Sequence, residues 1–157
     1  MENTNKDKTA RHKKIRLQET FAPVARISYV RALLAVAAAS KSDIFQMDVK
    51  NAFLNGDLSE EVYMQPSPGL SVESNKVCHF QRALYGLKQA PRAWFAKFNS
   101  TISRLSYMAS HYDSALFLCR TDKCTILFLL YVDDMIITGD DLIGTLESRI
   151  FSVINLR

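Results

Sequence analysis

Residues 124–137 read CTILFLLYVDDMII and place two consecutive aspartates, Asp133 and Asp134, between two apolar runs. Such runs, rich in β-branched and aromatic residues, are typical of buried strands. Asp is a common turn residue, so the pair by itself indicates a tight hairpin. Another apolar run at 115–120 predicts a further hairpin with the strand that starts near residue 124. The C-terminal half of the chain is therefore predicted to be an antiparallel sheet that carries two carboxylates at one turn.

Upstream of this sheet, residues 91–107 carry apolar side chains at intervals of three and four, which predicts an amphipathic helix that begins at Pro91. The Ala- and Leu-rich residues 28–40 predict a nearly fully buried helix capped by Ser28. Strands are predicted at 44–49, 61–65 and 76–82, and a last helix after residue 140. This order predicts an α+β fold, with helices packed on one face of a largely antiparallel sheet.

The chain has 157 residues, of which 48% are hydrophobic and 23% charged, and its formal net charge is +4. This size and composition suit one folded domain and exclude disorder over the whole length. Lys and Arg outnumber Asp and Glu most clearly in residues 1–19, which we expect to be a basic, poorly ordered head. The apolar runs are too short to cross a bilayer, and no targeting signal is visible, so no membrane partner is expected.

A third carboxylate, Asp48, closes the predicted strand 44–49. A buried strand end is a costly place for a negative charge. Each carboxylate alone is explained by a turn or a cap. If the strands before and after these aspartates are neighbours in one sheet, however, the carboxylates converge and repel each other. Hard divalent cations, which take oxygen ligands, would offset this repulsion. That arrangement suits phosphoryl transfer assisted by two metal ions.

Three blocks of this sequence resemble the reverse transcriptase domain of copia-type long-terminal-repeat retrotransposons. The first is FQMDVKNAFLNGDL at 45–58, continued by EVYM at 61–64; the second is LYGLKQAPRAW at 84–94; the third is YVDD at 131–134. With FAPV at 21–24, the likeness covers about residues 20–142. It implies that residues 20–157 form part of a reverse transcriptase domain, with a polymerase palm-like sheet, incomplete fingers and no thumb.

The resemblance also implies roles for single residues. Asp48, Asp133 and Asp134 would be catalytic: Asp48 and Asp133 would hold two Mg²⁺ ions, or Mn²⁺, with the carbonyl of Val49 as a further ligand and Asp134 in support. Phe53 would lie under the sugar of the incoming nucleotide, clash with a 2′-hydroxyl and favour deoxynucleotides. The implied nucleotide-binding residues are Asn51, Ala52, Phe53, Gly86, Lys88 and Gln89. Core packing for Phe53 and a solvated helix start for Lys88 remain open alternatives.

The activity implied is that of an RNA-directed DNA polymerase, in which a primer 3′-hydroxyl attacks a deoxynucleoside triphosphate on an RNA or DNA template–primer. It would act inside the cell, in a cytoplasmic virus-like particle or in the nucleus. Residues 1–20 take the place of the family's basic fingers segment, and the chain stops at 157, so we expect negligible polymerase activity from the isolated chain. The alternative is a non-catalytic retrotransposon-derived remnant that binds nucleic acid weakly or not at all.

Overall fold

The computed structural model describes residues 21–69, 76–122 and 124–140. The predicted head 1–19 and the predicted last helix lie outside these residues. The described residues form two α-helices and seven strands. In chain order they are α1 (Ile27–Ser40), β1 (Ile44–Asp48), β2 (Asp57–Met64), β3 (Cys78–Arg82), α2 (Ala90–Arg104), β4 (Met108–Ala109), β5 (Leu116–Arg120), β6 (Thr125–Tyr131) and β7 (Asp134–Gly139), with a short 3₁₀ turn (Ala52–Asn55) between β1 and β2.

The strands form a five-stranded antiparallel sheet in the order β1-β7-β6-β5-β4 and a separate two-stranded sheet of β2 and β3. Both predicted hairpins are present, β5–β6 and β6–β7. The second is closed by a two-residue turn, Val132–Asp133, between the paired residues Tyr131 and Asp134. The predicted α+β class with an antiparallel sheet is therefore confirmed.

The two α-helices cover opposite faces of the large sheet, so the expectation that the helices pack on one face is wrong. Phe128 of β6 packs in one core with Trp94 of α2, whereas the next residue, Leu129, packs in a second core with Leu33 of α1. Successive residues of a strand point to opposite faces. Strands β6 and β7 are apolar without alternation, and an uninterrupted apolar strand needs a cover on both sides.

Helix α1 and strand β1 are more exposed than their sequences predicted. α1 begins at Ile27 after Arg26, without a side-chain cap from Ser28, and buries only Leu33 and Ala37. Within the described residues, β1 is an edge strand paired with β7, and most of its residues are exposed. Thr138 of β7 is buried, and its hydroxyl donates a 2.8 Å hydrogen bond to the carbonyl of Asp43. This bond fixes the start of β1 against β7.

Helix α2 fixes the larger core. Trp94, Phe98 and Ile102 are buried at the predicted helical spacing, and the Phe98 ring stacks on Phe128 of β6 at 5.4 Å between centroids. The first turns of α2 lie against the 3₁₀ turn after β1, where Gly56 touches the backbone at Ala93 and Trp94. This contact brings the segment after Asp48 beside the β6–β7 hairpin. No helix in the described ranges is long and apolar enough to span a bilayer.

Candidate functional site

The pairing of β1 with β7 places the strand end at Asp48 beside the turn at Asp133 and Asp134. Asp48 is the last residue of β1 and lies directly opposite Asp134, the first residue of β7. Residues so paired have β-carbons about 4.5–5.5 Å apart. The backbone N–H of Val49 donates a 3.0 Å hydrogen bond to the carbonyl of Asp133, which extends this pairing into the β6–β7 turn. The strands that carry the aspartates are thus neighbours in one sheet, which is what the predicted convergence of the carboxylates requires.

Two of the three carboxylates act on the same phenol. The pKa of Tyr85 is raised above its ordinary value of 10.0, first by partial burial and then by the negative charges of Asp133 and Asp48. Hydrogen bonds from the backbone of Phe53 and Ala52 offset part of this rise. The charges of Asp48 and Asp133 are therefore both close enough to act on the Tyr85 hydroxyl.

The third carboxylate has a different neighbour. The side-chain amide of Gln46, on β1, donates a hydrogen bond of 3.4 Å to Oδ1 of Asp134. This contact, at the far end of hydrogen-bond distance, lies along the strand from Asp48. Asp134 is thus in contact with Gln46, whereas Asp48 and Asp133 are the two carboxylates whose charges raise the pKa of Tyr85.

The turn that carries Asp133 has an unusual backbone. Val132 has φ 61°, in the left-handed region. A β-branched residue rarely adopts this conformation, which costs on the order of 1–3 kcal/mol. The carbonyl of Val132 accepts a 2.9 Å hydrogen bond from the indole Nε1–H of the buried Trp94. The turn is therefore strained and held from α2.

The residues after Asp48 turn back over the site. Asn51 adopts φ 56° and starts the 3₁₀ turn, which presents the half-buried ring of Phe53 at 4.5 Å from the ring of Tyr85. Ala52 is fully buried, so its side chain offers no surface to a nucleotide. The carbonyl of Val49 accepts a 3.1 Å hydrogen bond from the Ala52 N–H and keeps one lone pair for another partner.

The second block is only partly joined to the carboxylates. Gly86 follows Tyr85 with φ 94°, a conformation that favours glycine, and an added β-carbon would meet nothing within 4 Å. The turn itself therefore requires glycine. Lys88 is exposed. Gln89 lines a cavity of about 210 Å³ with Asp57, Glu60 and Arg92 among others, and none of the three aspartates lines this cavity.

A second cavity, of about 140 Å³, lies beside the strained turn. Its walls come from the segment before α1, the 3₁₀ turn, the start of α2 and the β6–β7 hairpin. Almost all of the lining side chains are apolar. The lining residues are Phe21, Ala22, Pro23, Val24, Phe53, Pro91, Trp94, Phe95, Leu130 and Val132. Among these side chains, Trp94 is the one that carries an N–H or O–H donor.

The carboxylates suit a hard divalent cation that shares its ligands with a substrate. In the part of the chain that the structure describes, no cluster of three His, Cys, Asp or Glu side chains could hold a metal ion unaided. Mg²⁺ in phosphate-handling sites is bound by one or two carboxylates, with the remaining positions filled by substrate phosphates and water. Asp48, Asp133 and the free lone pair of Val49 fit that requirement.

Two residues at this site were not assigned to it from the sequence. Tyr85 lies in the second block, directly before Gly86, and only this placement next to a matching glycine could have indicated it. Trp94 was assigned to the helix core because its spacing explains it. The sequence contains no signal for a hydrogen bond between Trp94 and Val132, which are 38 positions apart.

Comparison with known proteins identifies the family. Residues 9–149 match the family model described as reverse transcriptase (RNA-dependent DNA polymerase), and the chain belongs to this family. It is 42% identical over 132 residues to the retrovirus-related Pol polyprotein from transposon TNT 1-94 of Nicotiana tabacum, a match that covers 82% of this chain and 10% of that protein.

Other relatives agree. The retrovirus-related Pol polyprotein from transposon RE1 of Arabidopsis thaliana is 42% identical over 125 residues, 78% of this chain and 8% of that protein. The putative transposon Ty5-1 protein YCL074W of Saccharomyces cerevisiae is 33% identical over 95 residues, 59% of this chain and 31% of that protein. No solved structure matches the chain at a significant level. The resemblance to copia-type reverse transcriptases is confirmed, and the chain spans about a tenth of the length of the plant Pol polyproteins it matches.

Proposed function

We propose that this chain supplies the catalytic carboxylates of an RNA-directed DNA polymerase, which transfers a nucleotide from a deoxynucleoside triphosphate to the 3′-hydroxyl of a primer on an RNA or DNA template. The observation that carries the proposal is the placement of Asp48 opposite Asp134 at the β6–β7 turn, with Asp133 beside Val49. Membership of the reverse transcriptase family supports the same activity. Within this proposal, residues 20–157 form the palm and part of the fingers.

Asp48 and Asp133 would hold the two Mg²⁺ ions, together with the carbonyl of Val49. Their shared effect on the pKa of Tyr85 supports this choice of pair. Asp134 would support the site through its contact with Gln46. When bound, such ions activate the attacking hydroxyl and stabilise the leaving pyrophosphate.

The aromatic pair Phe53 and Tyr85 would form the floor of the nucleotide site. The two rings lie 4.5 Å apart, between the 3₁₀ turn and the second block. Phe53 would exclude a 2′-hydroxyl by its bulk. Lys88, exposed near the start of α2, would meet the phosphates of the nucleotide, because an ammonium group pairs with phosphate as a point charge.

Metal binding tests the proposal directly. Mn²⁺ binding to the whole 157-residue chain would be measured by calorimetry and by electron paramagnetic resonance, for the wild type and for Asp48→Asn and Asp133→Asn. We expect both substitutions to weaken Mn²⁺ binding at least tenfold, because each removes a charged oxygen ligand.

Asp122→Asn is the matched control, because this substitution removes the same charge. Asp122 is exposed in the β5–β6 turn, away from the three aspartates. Its Mn²⁺ affinity should equal that of the wild type. Equal Mn²⁺ affinity in Asp48→Asn, Asp133→Asn and the wild type contradicts the proposed site. In primer extension with Mg²⁺, any incorporation that survives Asp133→Asn contradicts the proposed catalysis.

A further inference from the structure

We propose that Trp94 is a positioning residue, which holds Asp133 in place through the carbonyl of Val132. This inference rests on the proposed function, because it gives Trp94 a role in metal binding by Asp133. It starts from the backbone of the turn rather than from the carboxylates. The turn has two residues, and the first, Val132, has φ 61°. A valine in this conformation persists only where its surroundings hold it there.

Two hydrogen bonds hold the turn from outside the β6–β7 hairpin. The indole Nε1–H of Trp94 donates to the carbonyl of Val132 at 2.9 Å, and the backbone N–H of Val49 donates to the carbonyl of Asp133 at 3.0 Å. One donor lies on α2 and the other directly follows Asp48. The position of Asp133 relative to Asp48 is therefore set by two donors on two different elements.

Burial and ring packing hold the side chain of Trp94 in one position, as a positioning residue requires. It is 1% exposed, and its ring lies 5.5 Å from that of Phe98. The apolar cavity of about 140 Å³ beside the turn offers no other side-chain N–H or O–H among its lining residues. Removal of the indole donor thus leaves the carbonyl of Val132 without a side-chain substitute in that cavity.

Trp94→Phe tests the proposal, because it keeps an aromatic ring and removes the donor. Phe98→Leu is the control: it also reduces packing in the α2 core, including the contact with the Trp94 ring, but it keeps the indole N–H donor. We expect amide hydrogen exchange at Val49, measured by NMR, to become about tenfold faster in Trp94→Phe than in Phe98→Leu after correction for global stability. This factor corresponds to about 1.4 kcal/mol, the net worth of one hydrogen bond.

Mn²⁺ affinity is the second readout. Substitution of a residue that orients a metal ligand typically costs about 10–100-fold in affinity, so Trp94→Phe should bind Mn²⁺ at least tenfold more weakly than Phe98→Leu. Equal Mn²⁺ affinities and equal Val49 exchange in the two variants overturn the role of Trp94, while wild-type binding leaves the proposed function intact. If the wild type binds no Mn²⁺, the proposed metal site fails, and Val49 exchange alone decides whether Trp94 holds the turn.

The wild-type chain provides a test that needs no core variant to fold. Trp94 is the single tryptophan, so its indole N–H gives one resonance in a ¹⁵N-correlated spectrum. Slow exchange with solvent and a shift on addition of Mg²⁺, absent in Asp133→Asn, are the expected results. Rapid exchange of this proton in the folded chain overturns the proposal.

Discussion

Gly56→Ala should destabilise the fold through a clash with the backbone of α2. A β-carbon at Gly56 would lie 2.7 Å from the backbone N of Trp94, 2.8 Å from the backbone C of Ala93 and 2.9 Å from the β-carbon of Ala93. Non-bonded carbon atoms pack at about 3.5–4.0 Å. Two of the three contacts are to backbone, so rotation of a side chain cannot relieve them.

The size of the effect follows from two opposing contributions. Overpacking a core by a methyl group costs about 1–3 kcal/mol. Gly56 has φ −75° and ψ 125°, which alanine adopts freely, so the loss of freedom in the unfolded chain returns about 0.4–1 kcal/mol. The net loss is about 1–2 kcal/mol, which for a chain of this size is a fall of about 2–8 °C in the melting temperature.

Urea unfolding followed by circular dichroism measures this change, with Ala93→Gly and the double variant as controls. Ala93→Gly removes one of the three contacts, so it should relieve only part of the loss in Gly56→Ala, and the double variant should remain less stable than Ala93→Gly. Full rescue in the double variant would show that the contact is to the side chain alone. An unfolding free energy for Gly56→Ala within about 0.5 kcal/mol of the wild type, the range of neutral surface substitutions, would refute the clash.

Two further predictions concern the site. Asp133→Asn should lower the pKa of Tyr85, because it removes one of the charges that raise this pKa, and phenolate absorbance during a pH titration measures the shift; an unchanged pKa would contradict the effect of the Asp133 charge on Tyr85. Since the folded-state pKa of Tyr85 is raised, its contribution to stability is present below the unfolded-state pKa and is lost as pH rises through the folded-state value, above about pH 10. Phe53→Ala should reduce the preference for dATP over ATP on the order of tenfold in Mn²⁺-dependent binding. Phe45→Ala, at an exposed ring on β1, is the matched control, and equal preferences in the two variants would remove Phe53 from the nucleotide site.

The types of the secondary-structure elements and the positions of the turns were predictable because they depend on local sequence. The spacing of Trp94 and Phe98 predicted α2, and the two apolar runs around Asp133 predicted the β6–β7 hairpin, both as found. Two of the wrong predictions concern burial. The Ala- and Leu-rich α1 and the apolar β1 are largely exposed, since burial depends on which neighbour covers an element, and composition does not specify the neighbour.

The structural role of Gly56 was also not predictable from local sequence. The sequence Asn55-Gly56-Asp57 is typical of a turn, and a turn glycine is normally kept for its backbone freedom. In the fold, Gly56 has an ordinary φ, and its lack of a side chain is used for close approach to α2. Such an approach joins residues far apart along the chain, so no local pattern reveals it.

Local sequence predicted the α+β class, the two C-terminal hairpins and the three blocks that match the reverse transcriptase family, because each depends on short-range periodicity or on order along the chain. The folded structure was needed to show that α1 and α2 cover opposite faces of the sheet, that Asp48 lies opposite Asp134, and that Trp94 donates to Val132. These arrangements join segments far apart along the chain, as does the contact of Gln46 with Asp134, which are 88 residues apart. They arise when the apolar faces of the elements pack together, and packing fixes the neighbours that sequence spacing leaves open.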